Sequence, residues 1–247
     1  MELWGITDSG KVRNHNQDVY RMLHDIDRGI AILIVCDGMG GANAGNVASE
    51  LAVDSFMNHM IDHIEEIKET TGQKEVAEIM TDAVLSANIA VYDKGLQDEE
   101  FAGMGTTLTA AISAPCGEVV ANVGDSRLYY ITSNEITQIT RDHSVVEDMI
   151  ERGEISRSEA RTHPSRNLIT RALGTNVYEP PDVFYLNLSS GEYILLCSDG
   201  LSNVVTDSEI MFELQSGNTV RDSCEVLVGM ALARGAPDNV TTVILKK

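Results

Sequence analysis

Three aspartates in this chain stand in matching settings. Ile30 to Cys36 (IAILIVC) runs without interruption into Asp37-Gly38, and Tyr193 to Ser198 (YILLCS) runs into Asp199-Gly200. Asp238, in Pro237-Asp238-Asn239, opens the last apolar run, Val240 to Leu245. Each run reads as a buried strand, so each carboxylate is expected at a strand end, a rigid mounting. Carboxylates gathered in a buried place are costly unless positive charge neutralises them. A pair of hard divalent cations is the simplest way to do so. No His or Cys is placed to complete a softer site, so the oxygen donors select Mg or Mn over zinc. The glycine after each acid permits an unusual turn. It would let the backbone approach an ion, with the Gly38 carbonyl as a further donor. One Asp-Gly alone is more often a plain turn, but two behind buried strands, with a third acid beside a third strand, favour a metal centre.

Two loops add candidates. Asp8 to Asp18 (DSGKVRNHNQD) carries Arg13 among amides, ending in Asp18. Beside a cation pair a guanidinium would bind a phosphoryl group bidentately; otherwise it is a solvated loop side chain. Asn122 to Arg127 (NVGDSR) carries Asp125 behind another strand, either as a site acid or as a turn carboxylate bonded to backbone. Other chemistries lack their residues. No cysteine has an arginine six positions on, as a cysteine phosphatase needs, and Asp25-Ile26-Asp27 lies in a hairpin turn before Arg28-Gly29. No G-x-S-x-G elbow exists, so Asp142-His143-Ser144 does not read as a hydrolase triad. A dinucleotide fingerprint starting at Gly38 would need glycine where Asn43 stands.

The elements that must position these residues follow from periodicity. Strands are expected at Glu2 to Thr7, Val19 to His24 and Ile30 to Cys36, the last two as a hairpin. After a glycine-rich turn, Gly38 to Gly41, helices are expected over Gly45 to Ile67 and about Lys74 to Asp93. Thr106 to Ile139 is β-rich, and Ser144 is placed to cap a short helix. Glu151 to Arg166 is charged and poor in apolar residues, an exposed excursion. Strands near Asp182 to Leu188 and Glu192 to Ser198 precede helices near Asp207 to Leu214 and Val220 to Ala233, then the final strand. Helix pairs separated by blocks of strands are not βαβα alternation. The expected fold is α+β, a four-layer αββα sandwich of two mostly antiparallel sheets flanked by helix pairs.

Composition sets outer bounds. The 247 residues are 43% hydrophobic with no linker or repeat, which reads as one domain, 1–247. A formal charge of −20 argues against nucleic acid. It fits a soluble acidic surface and leaves open an attraction to basic protein substrates. No apolar run approaches the ~20 residues of a membrane span. The N-terminus has neither the basic start nor the apolar stretch of a signal peptide, so a cytoplasmic protein is expected. Cys36, Cys116, Cys197 and Cys224 show no metal or redox spacing and read as reduced structural thiols.

Eight segments in order resemble the metal-dependent serine/threonine protein phosphatases of type 2C, in their compact bacterial form. They are DSGKVRNHNQD (8–18), CDGMGGANAG (36–45), MGTT (104–107), ANVGDSRLY (121–129), ITRDHSVV (139–146), ITRALG (169–174), LLCSDGL (195–201) and DNVTTVIL (238–245). The resemblance implies hydrolysis of phosphoserine and phosphothreonine in proteins by a metal-bound hydroxide. The protein would act as a monomer, reversing a cognate serine/threonine kinase. It implies two tight Mn or Mg sites, with Asp37 bridging both and the Gly38 carbonyl on the second. Asp199 and Asp238 would complete the first, and Asp18 would hold metal-bound water. Arg13 would bind substrate phosphate, Asp125 would help Asp199 hold a third, weaker metal, and 151–166 would be the flap beside the site.

Four positions depart from the family pattern. Gln17 stands for the usual Glu, and Met39 for the histidine that many eukaryotic relatives offer as general acid. Ala42 stands for a His and Asn46 for an acid. No primary ligand is lost, which favours an active enzyme over the alternative, a non-catalytic phosphoprotein-binding domain on the same fold.

Overall fold

A computed structural model describes residues 1–41 and 44–247, so the readings of Ala42 and Asn43 lie outside the described residues. The strands are β1 (Glu2–Asp8), β2 (Asp18–Asp25), β3 (Ile30–Met39), β4 (Gly105–Thr106), β5 (Leu108–Ala114), β6 (Gly117–Val123), β7 (Arg127–Ile131), β8 (Ile136–Gln138), β9 (Asp182–Leu186), β10 (Tyr193–Cys197) and β11 (Val240–Lys246). The helices are α1 (Ala44–Asp62), α2 (Gln73–Gln97), α3 (Val145–Glu151), α4 (Arg157–Ala160), α5 (Asp199–Ser202), α6 (Asp207–Leu214) and α7 (Val220–Ala233). One sheet has the order β1-β11-β10-β7-β8; the other has β2-β3-β5-β6-β9, with β4 added against β3. Every pairing is antiparallel.

The layering explains why the central strands are apolar without alternation. Ile30, Ile32, Ile34 and Cys36 face one way, into the core shared with Phe56, Met60, Met80 and Val84 of α1 and α2. Ala31, Leu33 and Val35 face the other way, against Leu128, Leu196 and Val243 between the sheets. In the opposite sheet, Leu195 and Cys197 pack with Leu227 and Val228 of α7. Side chains alternate faces along a strand, so a strand between two cores must be apolar at every position. The result is the expected αββα sandwich.

The ends of elements differ in instructive ways. β3 does not stop at Asp37 but continues through Gly38 and Met39, because β4 pairs there, Gly38 opposite Thr106 and Met39 opposite Gly105. α1 ends at Asp62, short of Ile67, and a single 3-10 turn covers Ile64–Glu66. α2 runs four residues beyond Asp93, past the end of its buried stripe at Val91. Ser144 caps α3, its hydroxyl accepting the Glu147 N–H. In the charged excursion Ser156 and Glu159 form a capping box that starts α4. No helix is long and apolar enough to cross a membrane among the described residues.

Candidate metal centre

Asp18 and Asp37 are direct partners across β2 and β3. Like charges placed opposite one another are normally destabilising, and here Asp18 is buried and Asp37 half-buried. One Asp18 oxygen, Oδ2, accepts hydrogen bonds from Ser198 and Thr241, each 2.7 Å. Its other oxygen, Oδ1, is buried without a partner. Burial, more than these two donors can offset, pushes Asp18 up to about 7. Asp37 is raised well above the carboxylate range by burial, then by the charges of Asp18, Asp199, Asp125 and Asp238.

Asp37 is held through its backbone. Its N–H donates to Thr107 Oγ1 (2.9 Å), and its carbonyl accepts from the Thr107 N–H (2.9 Å) and the Thr106 hydroxyl (3.0 Å). The carboxylate is thereby left to the site. Asp199 is the first residue of α5, where the helix N-terminus suits a negative charge. Asn203 Nδ2 donates to its Oδ2 (3.0 Å), and its Oδ1 is buried without a partner. Burial and Asp238 raise it to about 6. Asp125 is raised to about 8, by burial first and Asp199 second.

Asp238 Oδ2 accepts from Arg13 Nη2 at 2.8 Å. Arg13 side-chain exposure is 54%, so most of its guanidinium remains open. Arg13, Asp125, Asp199 and Asp238 line one cleft, whose far wall carries Arg157, Arg161 and Arg166 of the 151–166 segment. Six acids and five arginines line it, and no lysine does.

The glycines after the two acids are required for a reason other than the expected turn. Neither Gly38 nor Gly200 has a positive φ. A Cβ on Gly38 would lie 2.0 Å from the Gly45 carbonyl oxygen, and one on Gly200 would lie 1.8 Å from that of Asn239. They admit a neighbouring backbone, a demand visible only when the neighbour is in place.

Several residues that position the site carry no chemical signature in sequence. Asn239 accepts the Gln17 N–H (2.9 Å) and donates to the Ser9 and His15 carbonyls (2.9 Å each), stitching the Arg13 loop to β11. Gln17 spends its amide on the Gly41 carbonyl, 3.4 Å away. Thr107, Ser198 and Thr241 fix Asp37 and Asp18. All lie inside the quoted motifs, and all but Thr107 stand within three positions of a site acid, an adjacency that was the available signal. Cys36, Cys197 and Cys224 are buried free thiols; burial pushes Cys197 and Cys224 up to about 12, far from a nucleophile's range.

The donor set suits hard cations. It consists of carboxylate oxygens, two of them buried and unpartnered, and no sulfur or imidazole joins it. Among the described residues no three His, Cys, Asp or Glu side chains close into a ready-made cage. An ion here would therefore take backbone carbonyl and water as well as these carboxylates.

This arrangement predicts an inverted pH response. Asp18, Asp37, Asp125 and Asp199 have folded values above the ordinary 3.8. The folded chain therefore keeps protons that the unfolded chain releases. That stabilisation is complete below about pH 4 and is lost as pH rises through 6 to 8. His59 and His143, lowered by burial, act oppositely, two groups against four. With chelator present, the melting temperature is expected to fall between pH 5 and 8. Added Mn should raise it, and more at pH 8 than at pH 6. Melting curves across that range check this; a chelated protein that gained stability toward pH 8 would contradict the shared burial of the acids.

A two-sheet sandwich flanked by helix pairs, with acids from β2, β3, α5 and the start of β11 at one end, defines a phosphatase architecture. The Protein phosphatase 2C profile matches residues 10–228, and the chain belongs to that family. It is 38% identical over 245 residues to the serine/threonine phosphatase stp of Listeria innocua, covering 98% of this chain and 94% of that one. Among solved structures it is similar to the serine/threonine phosphatase Stp1 from Staphylococcus aureus, with TM-score 0.91 and 36% identity over 100% of this chain and 94% of that one. It is also similar to the catalytic domain of the protein phosphatase PstP in complex with two manganese ions, with TM-score 0.81 and 34% identity over 98% and 96% of the two chains.

Proposed function

We propose that the chain, acting as one catalytic unit, hydrolyses phosphoserine and phosphothreonine in proteins with a pair of Mn or Mg ions, reversing a serine/threonine kinase. The observation that carries this is the group of buried Asp18 and half-buried Asp37, Asp125 and Asp199, with two buried carboxylate oxygens left unpartnered beside a cleft that arginines also line. Asp37, the Gly38 carbonyl, Asp199 and Asp238 would hold the two ions, and Asp125 with Asp199 a third. When bound, such ions neutralise phosphoryl oxygens and acidify water.

The remaining roles belong to side chains. Arg13, anchored by Asp238, presents its open donors to the phosphate and fixes its orientation. Asp18, held through Oδ2 by Ser198 and Thr241, offers Oδ1 to orient a water. Met39 stands where many relatives have a histidine and cannot transfer a proton, so proton delivery to the leaving oxygen falls to the Asp125 side of the cleft. Action in the cytoplasm as a monomer completes this reading.

The direct test is phosphate release from phosphoserine and phosphothreonine peptides by chelated protein, with and without Mn. Binding without release would indicate a recognition domain instead. For Arg13→Ala we expect KM to rise roughly 10- to 100-fold, the worth of a charged hydrogen bond or two, with a smaller change in Mn affinity measured by calorimetry. Unchanged KM with collapsed Mn affinity would make Arg13 a structural partner of Asp238.

A further inference from the structure

His143 is a buried group that the chemistry above leaves unused, and its bonds lead to the turn that carries Asp125. The side chain is 6% exposed. Its Nδ1 accepts the Gly124 N–H at 3.0 Å, and the His143 backbone N–H donates to the Gly124 carbonyl at 2.9 Å. Because Nδ1 accepts, the neutral ring carries its proton on Nε2, which donates to Asp182 Oδ2 at 3.1 Å. Arg171 Nη1 lies 3.0 Å from Nε2 and 2.8 Å from Asp182 Oδ1. Two donors cannot bond each other, so the Asp182 carboxylate serves both. Arg171 is tied in turn to Glu179 (2.7 Å). The ring thus bridges the first residue of β9 and the Gly124 N–H, while the His143 backbone holds the Gly124 carbonyl.

Gly124 has no freedom on its other side. Its φ is +109°, and a Cβ there would lie 2.6 Å from Thr107 Cβ. Thr107 is the residue that holds the Asp37 backbone, and its hydroxyl shares a hydrogen bond with Ser126 (2.8 Å). The turn before Asp125 is therefore clamped between Thr107, which also places Asp37, and His143, which is braced on β9.

We infer that His143 is a positioning residue, a strut that fixes the Gly124 backbone and so aims the Asp125 carboxylate at Asp199. It touches neither substrate nor ions, and it works through hydrogen-bond geometry. The consequence for turnover rests on the reading of Asp125 above; the strut itself can be read separately.

Two substitutions divide the ring's functions. In His143→Asn the amide oxygen can replace Nδ1 as acceptor for Gly124. In His143→Gln the amide nitrogen can replace Nε2 toward Asp182, while the acceptor for Gly124 is lost. We expect His143→Gln to lower kcat on a phosphothreonine peptide roughly 10- to 100-fold, the usual cost of losing a partner that orients a ligand, with KM nearly unchanged. His143→Asn should keep most of that kcat. The double variant His143→Gln/Asp125→Ala should be no slower than Asp125→Ala alone, since the two act as one unit. Hydrogen exchange, read without substrate, should show the Gly124 amide deprotected in the glutamine variant and protected in the asparagine variant. If Asp125→Ala is itself fully active, the role of Asp125 fails while the exchange pattern still tests the strut. Equal losses in both variants, multiplied losses in the double variant, or a Gly124 amide equally protected in both would overturn it. Should the glutamine variant not fold, the asparagine variant decides: a deprotected amide or a collapsed kcat there rejects the strut.

Discussion

Asp37→Asn is expected to remove nearly all Mn-dependent turnover while leaving the protein folded. The change replaces one oxygen by NH2 and preserves shape. Thr106 and Thr107 hold the residue through its backbone, so the strand should not move. What is lost is the charge that would draw two ions together. Even a residue that only orients a metal ligand costs roughly 10–100-fold when removed, so a ligand shared by two ions should cost more. Removing the carboxylate opposite Asp18 also relieves repulsion. The chelated variant should therefore melt no lower than the chelated parent, and its melting temperature should gain much less from Mn. Paired turnover assays and melting curves, with and without Mn, check both halves. Turnover near that of the parent would contradict the two-ion reading; a large loss of stability in chelator would instead show that the Asp37 charge serves the fold.

For Asp125→Ala the expected effect depends on the leaving group. Serine and threonine alkoxides need a proton as the P–O bond breaks, and general-acid help of that kind is worth ~10²–10⁴ in rate. p-Nitrophenolate departs without one. Asp125 sits in the cleft with Asp199 and is raised by burial first and the Asp199 charge second, while Arg13 is bonded to Asp238 instead. The alanine variant should lose about 10²-fold or more on phosphopeptides and far less on p-nitrophenyl phosphate. Two Mn ions should still bind, as calorimetry would show. Equal losses on both substrates would assign Asp125 to placing the nucleophile or substrate, and full activity on phosphopeptides would end its role.

Much of the architecture was legible in the chain itself. The unbroken runs at Ile30–Cys36 and Tyr193–Cys197 announce strands buried on both faces, and Thr206 and Thr219 cap α6 and α7 where periodicity places them. The identities of the acids and the order of the motifs around them also needed no coordinates. These are local properties: hydrophobic period and capping are written within a few residues of where they act.

Other features appear only when distant segments meet. The register that sets Asp18 opposite Asp37 comes from pairing along the whole β2–β3 hairpin, and a slip of one residue would send both acids to different faces. Asn239 joins β11 to a loop more than 220 positions away. Gly38 and Gly200 look like turn residues in sequence, yet φ permits any side chain and only the backbones of Gly45 and Asn239 forbid one. Asp142-His143-Ser144, which the missing elbow already excluded as a triad, takes its actual roles only from distant partners: Asp142 on Arg127, His143 on Gly124 and Asp182, Ser144 on the first turn of α3. The chain determined which groups are present and which elements carry them. Tertiary packing decided which oxygens are left without partners, because that depends on contacts between residues whose separation in sequence leaves no periodic trace.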